Sequence, residues 1–280
     1  AAELTRTGIG LPAYYNDEVI IPSLMSRGLT LRDARDYNII GCVEPQKSGK
    51  TEGWHDAAFF NMCRPLELVF SNGMDKGVRI GPATGNVEDM TTFEQFYDAY
   101  KKQMDYAIQL LVNADNAIDM AHAERCPLPF LSSMVDDCMK VGKTVQEGGA
   151  VYNFTGPQGF GVANMADSLY SVKTLVYDEK KITMGELKEA LATNYGKGLG
   201  AEDVAAMTAK IANELKEAGK TIGEKEVAAI LNTVVAASEA PEVKANGERI
   251  LKLIEEVPKF GNDIPEVDAF ARDVAYTYTE

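Results

Sequence analysis

The sequence predicts a mixed α/β fold with more helix than strand. Apolar residues recur at helical spacing over long stretches, above all Phe93, Phe96, Tyr97, Tyr100, Met104, Ile108 and Leu111. Thr91 with Glu94 and Thr183 with Glu186 have the spacing of capping boxes, in which a hydroxyl and a carboxylate satisfy the free N–H groups that open a helix. Short apolar runs bounded by proline or glycine, Val19–Ile21 and Ala150–Phe154, read as strands, the first alternatively as a buried connector.

With 280 residues, 45% hydrophobic and 25% charged, the chain can bury a substantial core in one or two domains. Its net charge of −14 argues against nucleic acid or an anionic membrane surface as partner. No apolar run reaches the length of a membrane span, and the N-terminus lacks the basic-then-apolar pattern of a secretory leader. The four cysteines, Cys42, Cys63, Cys126 and Cys138, are irregularly spaced and read as reduced thiols. His55 and His122 are the only histidines, without paired spacing, so no zinc site is expected.

Taken in order, Asn16-Asp17-Glu18 suits a helix or turn cap, and Pro22 should end the Val19–Ile21 run. Thr30 and Asp33 predict a short helix over 31–37. Residues 46–53 read as loop. A helix is expected from His55 or Asp56 to Phe70, broken or kinked at Pro65 and closed by Ser71-Asn72-Gly73. Residues 77–86 form a loop or hairpin, and the long helix opened at Thr91 runs toward Glu124. Pro127 and Pro129 interrupt the chain before a short element over 131–139. Loop residues 155–159 follow the strand at 150–154. Helices are expected over 164–176, from Thr183 to Leu191, and over 267–274. Residues 196–258 change character, rich in Ala, Glu and Lys, and predict surface helices at 204–215, 224–237 and 245–256.

The stretch with most chemical content is Ile39-Ile40-Gly41-Cys42-Val43-Glu44-Pro45. Pro45 disfavours helix at Glu44, so the segment should be extended, with Cys42 and Glu44 facing one space. Gly41 permits an unusual φ just before the thiol. A carboxylate beside a thiol suppresses thiolate, the species needed for ionic nucleophilic attack. The pair suits a cysteine reacting as S–H or as a radical, with the glutamate handling a proton.

Gly41-Cys42-Val43-Glu44-Pro45 resembles the thiyl-cysteine loop of glycyl radical enzymes, in the branch of dehydratases and C–X lyases. Gly49-Lys50-Thr51-Glu52-Gly53-Trp54-His55-Asp56, Tyr152-Asn153-Phe154-Thr155-Gly156-Pro157-Gln158-Gly159 and Phe260-Gly261-Asn262-Asp263 are similar to cobalamin-independent glycerol and 1,2-propanediol dehydratases. The resemblance implies part of a ten-stranded α/β barrel wrapped in helices, with the cysteine loop at its centre. Residues 1–195 would be partial barrel, 196–258 a helical insertion and 259–280 a return to the barrel. It implies that Cys42 forms the thiyl radical, Glu44 is the base and Asp56 binds a substrate hydroxyl. It also implies a glycyl radical outside this chain, installed by an S-adenosylmethionine radical activase, with no cobalamin and no metal. The expected substrate is a small vicinal diol, 1,2-propanediol or glycerol, handled by an anaerobic homodimer in the cytoplasm or a bacterial microcompartment.

The family's closing radical loop, Arg-Val-x-Gly-Tyr, has no match, since Val78-Arg79-Ile80-Gly81-Pro82 differs. The chain therefore reads as the central portion of a longer enzyme. Pyruvate formate-lyases carry two adjacent cysteines, whereas Val43 follows Cys42 here, so acyl transfer is not supported. Choline lyases differ around Trp54-His55-Asp56. A C–S lyase of the isethionate sulfite-lyase type is the alternative enzyme, and a non-catalytic helical scaffold is the alternative of another class. Trp54, His55 and His122 read as structural, and Cys63, Cys126 and Cys138 as inert thiols.

Overall fold

The computed structural model describes residues 2–9, 12–198, 231, 235 and 240–279. In chain order the helices are α1 (Ala2–Arg6), α2 (Asp17–Ser26), α3 (Leu31–Arg35), α4 (Arg64–Phe70), α5 (Phe93–Arg125), α6 (Pro129–Ser132), α7 (Cys138–Val141), α8 (Val162–Val172), α9 (Met184–Ala192), α10 (Pro241–Glu256) and α11 (Pro265–Thr279). The strands are β1 (Asn38–Ile40), β2 (Glu44–Gln46), β3 (Thr51–Trp54), β4 (Phe59–Asn61), β5 (Met74–Asp75), β6 (Val78–Arg79), β7 (Tyr152–Thr155) and β8 (Gln158–Phe160). They pair two by two, as β1–β2, β3–β7, β4–β8 and β5–β6. Helix outweighs strand, as the sequence predicts. No helix among the described residues is long and apolar enough to cross a membrane. The predicted helix at 204–215 lies outside the described residues, and of the one at 224–237 only residues 231 and 235, both helical, are described.

Two compact units divide the chain. The first comprises residues 1–59 and 111–158, the second 60–110 and 159–280.

In the first unit, Leu24, Leu29 and Ala34 form a small buried core, against which Ile20, Ile21, Tyr37, Tyr152 and Phe154 pack. Asn16 caps α2 by accepting from the Glu18 N–H. Val19–Ile21 is therefore helix rather than strand. Pro22 lies inside α2 and does not end the segment, because burial of Leu24 and its partners favours the helix over the local β preference. Thr30 caps α3 by accepting from the Asp33 N–H, as expected. Residues 51–53, the end of the stretch 46–53 read as loop, form strand β3 with Trp54, parallel to β7 in the register Thr51↔Tyr152 to Trp54↔Thr155. His122 packs edge-on against Trp54, with ring centroids 4.9 Å apart, which accounts for both as packing residues.

One polar network ties α3 to β3 and β7. The Lys50 ammonium donates to Asp33 Oδ1 at 2.9 Å, and the Tyr152 hydroxyl donates to Asp33 Oδ2 at 2.7 Å.

The second unit holds the larger core, built from one face of α5 (Phe93, Phe96, Tyr100, Met104) with Met165 and Leu169 of α8, Leu187 of α9 and Ile250 of α10. The α5 stripe is core, as its spacing indicates. Its cap is displaced by one residue from the predicted box: the Gln95 side chain accepts from the Thr91 N–H, and the Thr92 hydroxyl accepts from the Gln95 N–H. The helix expected from His55 begins instead at Arg64. Pro65 occupies its first turn, where a missing N–H costs nothing, so no kink follows. The Gly73 N–H closes α4 on the Leu68 carbonyl at 2.7 Å. The Thr183–Glu186 box opens α9 as predicted. α10, read as a surface helix, is amphipathic: Ile250 is fully buried while its opposite face is exposed. Gly247 of α10 lets the 195–196 backbone approach, since a Cβ there would lie 2.2 Å from the Tyr195 carbonyl carbon.

The Asp33 network predicts an acid dependence of stability. Hydrogen bonds from Lys50 and Tyr152 hold the Asp33 carboxyl down to about 2, against an ordinary 3.8. A depressed folded-state value contributes stability that is present above the ordinary value and is lost as pH falls through the folded one. The melting-temperature difference between wild type and Asp33→Asn in the full-length protein should hold at neutral pH and shrink between 3.8 and about 2. A difference independent of pH over that window would remove Asp33 as the cause.

Candidate active site

The site forms in the first unit, where a tight hairpin meets two loops. β1 and β2 pair antiparallel with Ile40 opposite Glu44, leaving Gly41-Cys42-Val43 as the turn. Gly41 sits at φ 60°, the left-handed region glycine adopts without a Cβ penalty. The turn directs two N–H groups at one oxygen: Cys42 and Val43 both donate to Glu44 Oε2 at 2.8 Å. The Tyr15 hydroxyl donates to the Cys42 carbonyl at 3.4 Å. Glu44 is buried, at 7% exposure, and Cys42 is exposed at the tip. The extended geometry expected at Cys42 starts only at Glu44. The Glu44 carboxylate turns back onto the backbone of the turn that carries the thiol.

The second contribution comes from the ends of the parallel pair β3 and β7. After Trp54 the chain turns through His55 and Asp56, and after Thr155 it turns through Gly156 and Pro157 to Gln158. The Gly156 N–H donates to the Trp54 carbonyl at 2.9 Å, and the Gln158 N–H to the Ala58 carbonyl at 2.8 Å. Asp56 therefore lies in a turn and caps no helix. The Gln158 side-chain amide reaches three acceptors. It donates to Glu44 Oε1 at 2.6 Å, to Asp56 Oδ1, and to the His55 carbonyl at 3.3 Å. The structure thus brings together all three predicted site residues, Cys42, Glu44 and Asp56. Gln158 stands in a quoted sequence motif but carries no charge to single it out.

The Val43 N–H holds the Glu44 carboxyl below its usual range, with the Cys42 N–H and the Gln158 amide adding to this and burial opposing it. Burial holds His55 below the usual imidazole range despite the nearby charges of Glu44 and Asp56. His55 Nε2 is buried without a partner among the described residues. Burial pushes the Cys63 and Cys138 thiols up, which suits inert cysteines. Among the described residues no cluster of three or more His, Cys, Asp or Glu side chains could hold a metal ion. Chemically, the site offers a thiol, an ionised carboxylate and a second carboxylate able to accept from a hydroxyl.

The chain belongs to the pyruvate formate lyase-like family, whose model matches residues 1–280. It is 61% identical to the protein of a solved structure described as 1,2-propanediol dehydration in Roseburia inulinivorans, with a TM-score of 0.91 over 100% of this chain and 33% of that one. It is 52% identical to the glycerol-bound B12-independent glycerol dehydratase from Clostridium butyricum, with a TM-score of 0.76 over 99% of this chain and 29% of that one. A (2S)-3-sulfopropanediol dehydratase of Klebsiella oxytoca is 40% identical over 195 residues, 69% of this chain and 24% of that protein. The chain thus spans between 24% and 33% of the length of these relatives.

The hairpin predicts the effect of one small substitution. A Cβ at Gly41 would sit 2.8 Å from Glu44 Oε2, and the left-handed φ costs a non-glycine residue about 1–2 kcal/mol. Gly41→Ala should displace the Glu44 carboxylate from the Cys42 and Val43 N–H groups, visible in a crystal structure of the full-length variant. An unmoved carboxylate would show that the turn has slack.

Proposed function

We propose that this chain is the thiyl-bearing part of a glycyl radical enzyme that converts a vicinal diol, 1,2-propanediol or glycerol, to an aldehyde and water. The observation that carries the reading is the hydrogen-bonded set of a buried Glu44 carboxylate directly under the Cys42 turn and joined through Gln158 to Asp56. The likeness to proteins described as acting in 1,2-propanediol and glycerol dehydration supports the choice of substrate. On this reading β3 and β7 are strands of a ten-stranded barrel, residues 196–258 are a helical insertion, and a radical S-adenosylmethionine activase serves a dimeric enzyme.

The exposed tip position of Cys42 suits a thiol that a radical-bearing loop must reach. The glycyl radical, when present, supplies the one-electron oxidation that removes the hydrogen from the Cys42 sulfur. Cys42 then takes a hydrogen atom from C1 of the diol. A hydroxyl on a radical carbon is far more acidic than an ordinary alcohol, so Glu44 accepts the C1 hydroxyl proton although its hydrogen bonds make it a weak base. The same proton leaves with the C2 hydroxyl as water. Asp56 orients a hydroxyl by accepting from it. Cys42 returns its hydrogen to C2, which closes the balance at one aldehyde and one water.

In the activated full-length enzyme, Cys42→Ala should abolish turnover while the glycyl radical signal in electron paramagnetic resonance persists. Glu44→Gln should lower turnover by about 10²–10⁴-fold, the usual worth of general acid–base assistance. Turnover by the alanine variant would refute the thiyl role, and a glutamine loss below about tenfold would assign the proton to another residue.

Substrate choice follows from charge. Two carboxylates with no lysine or arginine paired to them among the described residues favour a neutral hydroxylated substrate and repel a sulfonate placed beside them. A panel of 1,2-propanediol, glycerol and isethionate should yield aldehyde from a diol, with Asp56→Asn raising the KM. Sulfite from isethionate with no aldehyde from either diol would replace dehydration by C–S cleavage.

A further inference from the structure

We infer that Gln158 is a positioning residue that orients the Glu44 and Asp56 carboxylates, one N–H of its side-chain amide toward each. The inference rests on the proposed role of Glu44 as base. Glu44 Oε1 and Asp56 Oδ1 both lie within hydrogen-bond distance of the same nitrogen, Gln158 Nε2. A third acceptor, the His55 carbonyl, lies 3.3 Å from it. Three acceptors around one end of an amide require that end to be the NH₂, since the carbonyl end would face only lone pairs. The backbone holds the amide there, because the Gln158 N–H is itself fixed to the Ala58 carbonyl at 2.8 Å.

The bridge matters because one shared donor fixes the direction of two carboxylates, Glu44 buried and Asp56 exposed, that would otherwise turn independently. Glu44 can act as a base toward a substrate hydroxyl only while it is ionised. A neutral amide places two partial positive hydrogens in the gap and keeps both groups acceptors, without a cation that would trap either one. The other polar groups at Glu44 cannot substitute. His55 is held neutral by burial, and the Tyr15 hydroxyl is engaged with the Cys42 carbonyl. Gln158 donates to Oε1 and the turn N–H groups donate to Oε2, while the Glu44 N–H adds to the donors around the carboxylate.

The test is Gln158→Met in the full-length enzyme, which keeps the length of the side chain and removes both donors. In activated enzyme, kcat/KM for 1,2-propanediol should fall by about tenfold to a hundredfold at its plateau, the scale on which a misplaced catalytic group costs rate. Its acid limb, which reports the free enzyme, should move to higher pH because Glu44 loses a donor to its anion. A merely structural defect would lower the rate without moving the limb. In crystals of unactivated enzyme, the Glu44 and Asp56 carboxylates of Gln158→Met should lie farther apart than in wild type. An acid limb superimposable on wild type, or carboxylates that keep their wild-type spacing, would overturn the inference. If wild-type enzyme forms no aldehyde from either diol, the proposed reaction fails, and the crystal spacing still decides the role of Gln158.

Discussion

A carboxylate taken out of water must find donors, and the site is built on how Glu44 finds them. At 7% exposure its charge would be costly without partners. It takes two from the Cys42 and Val43 N–H groups and one from Gln158. The first two exist only because Gly41 bends the chain at positive φ, so that successive N–H groups point the same way. The bonds that satisfy Glu44 are therefore the bonds that shape the cysteine turn. Thiol position and carboxylate position are one structural fact, and neither can be changed alone.

That arrangement sets two demands against each other. Donors that stabilise the anion make it a poorer base, while a proton acceptor has to be ionised before it can act. The structure favours ionisation, holding Glu44 charged at neutral pH and His55 uncharged beside it. Such a base serves only a proton that has itself become acidic. The electrostatics thus agree with chemistry that first alters the neighbouring carbon, and disagree with abstraction from an unactivated alcohol.

Local capping and helical periodicity were legible in the sequence. Thr30, Thr183 and the α5 stripe organise the residues their spacing indicates, because a cap or a stripe needs only near neighbours. The Cys42–Glu44 pairing was legible as adjacency but not as geometry, since an extended chain and a tight turn bring i and i+2 together in different ways. Strand β3 was missed because Thr51-Glu52-Gly53-Trp54 shows no apolar alternation, and its partner lies about a hundred residues later. Val19–Ile21 misled through β-branched propensity, which the burial of neighbouring Leu24 overrides. Gln158 carries neither charge nor reactivity. Its role arises from what faces it, and nothing in one sequence states that.

The long-range step that makes the site is the parallel register of β3 and β7. Parallel strands end on the same side, so the loops that follow them leave the sheet together. With Trp54 opposite Thr155, His55-Asp56 and Gly156-Pro157-Gln158 emerge side by side. Gly156 allows the contact, since a Cβ there would lie 3.0 Å from the His55 Cα. A slip of one residue would turn every side chain of β3 to the other face and carry Asp56 away from the Gln158 amide. Tyr152 guards that register from the opposite end, with its ring in the small core and its hydroxyl on Asp33, the carboxylate that also holds Lys50 one residue before β3. The network that looks remote from the chemistry thus fixes the strand pair whose far ends carry it.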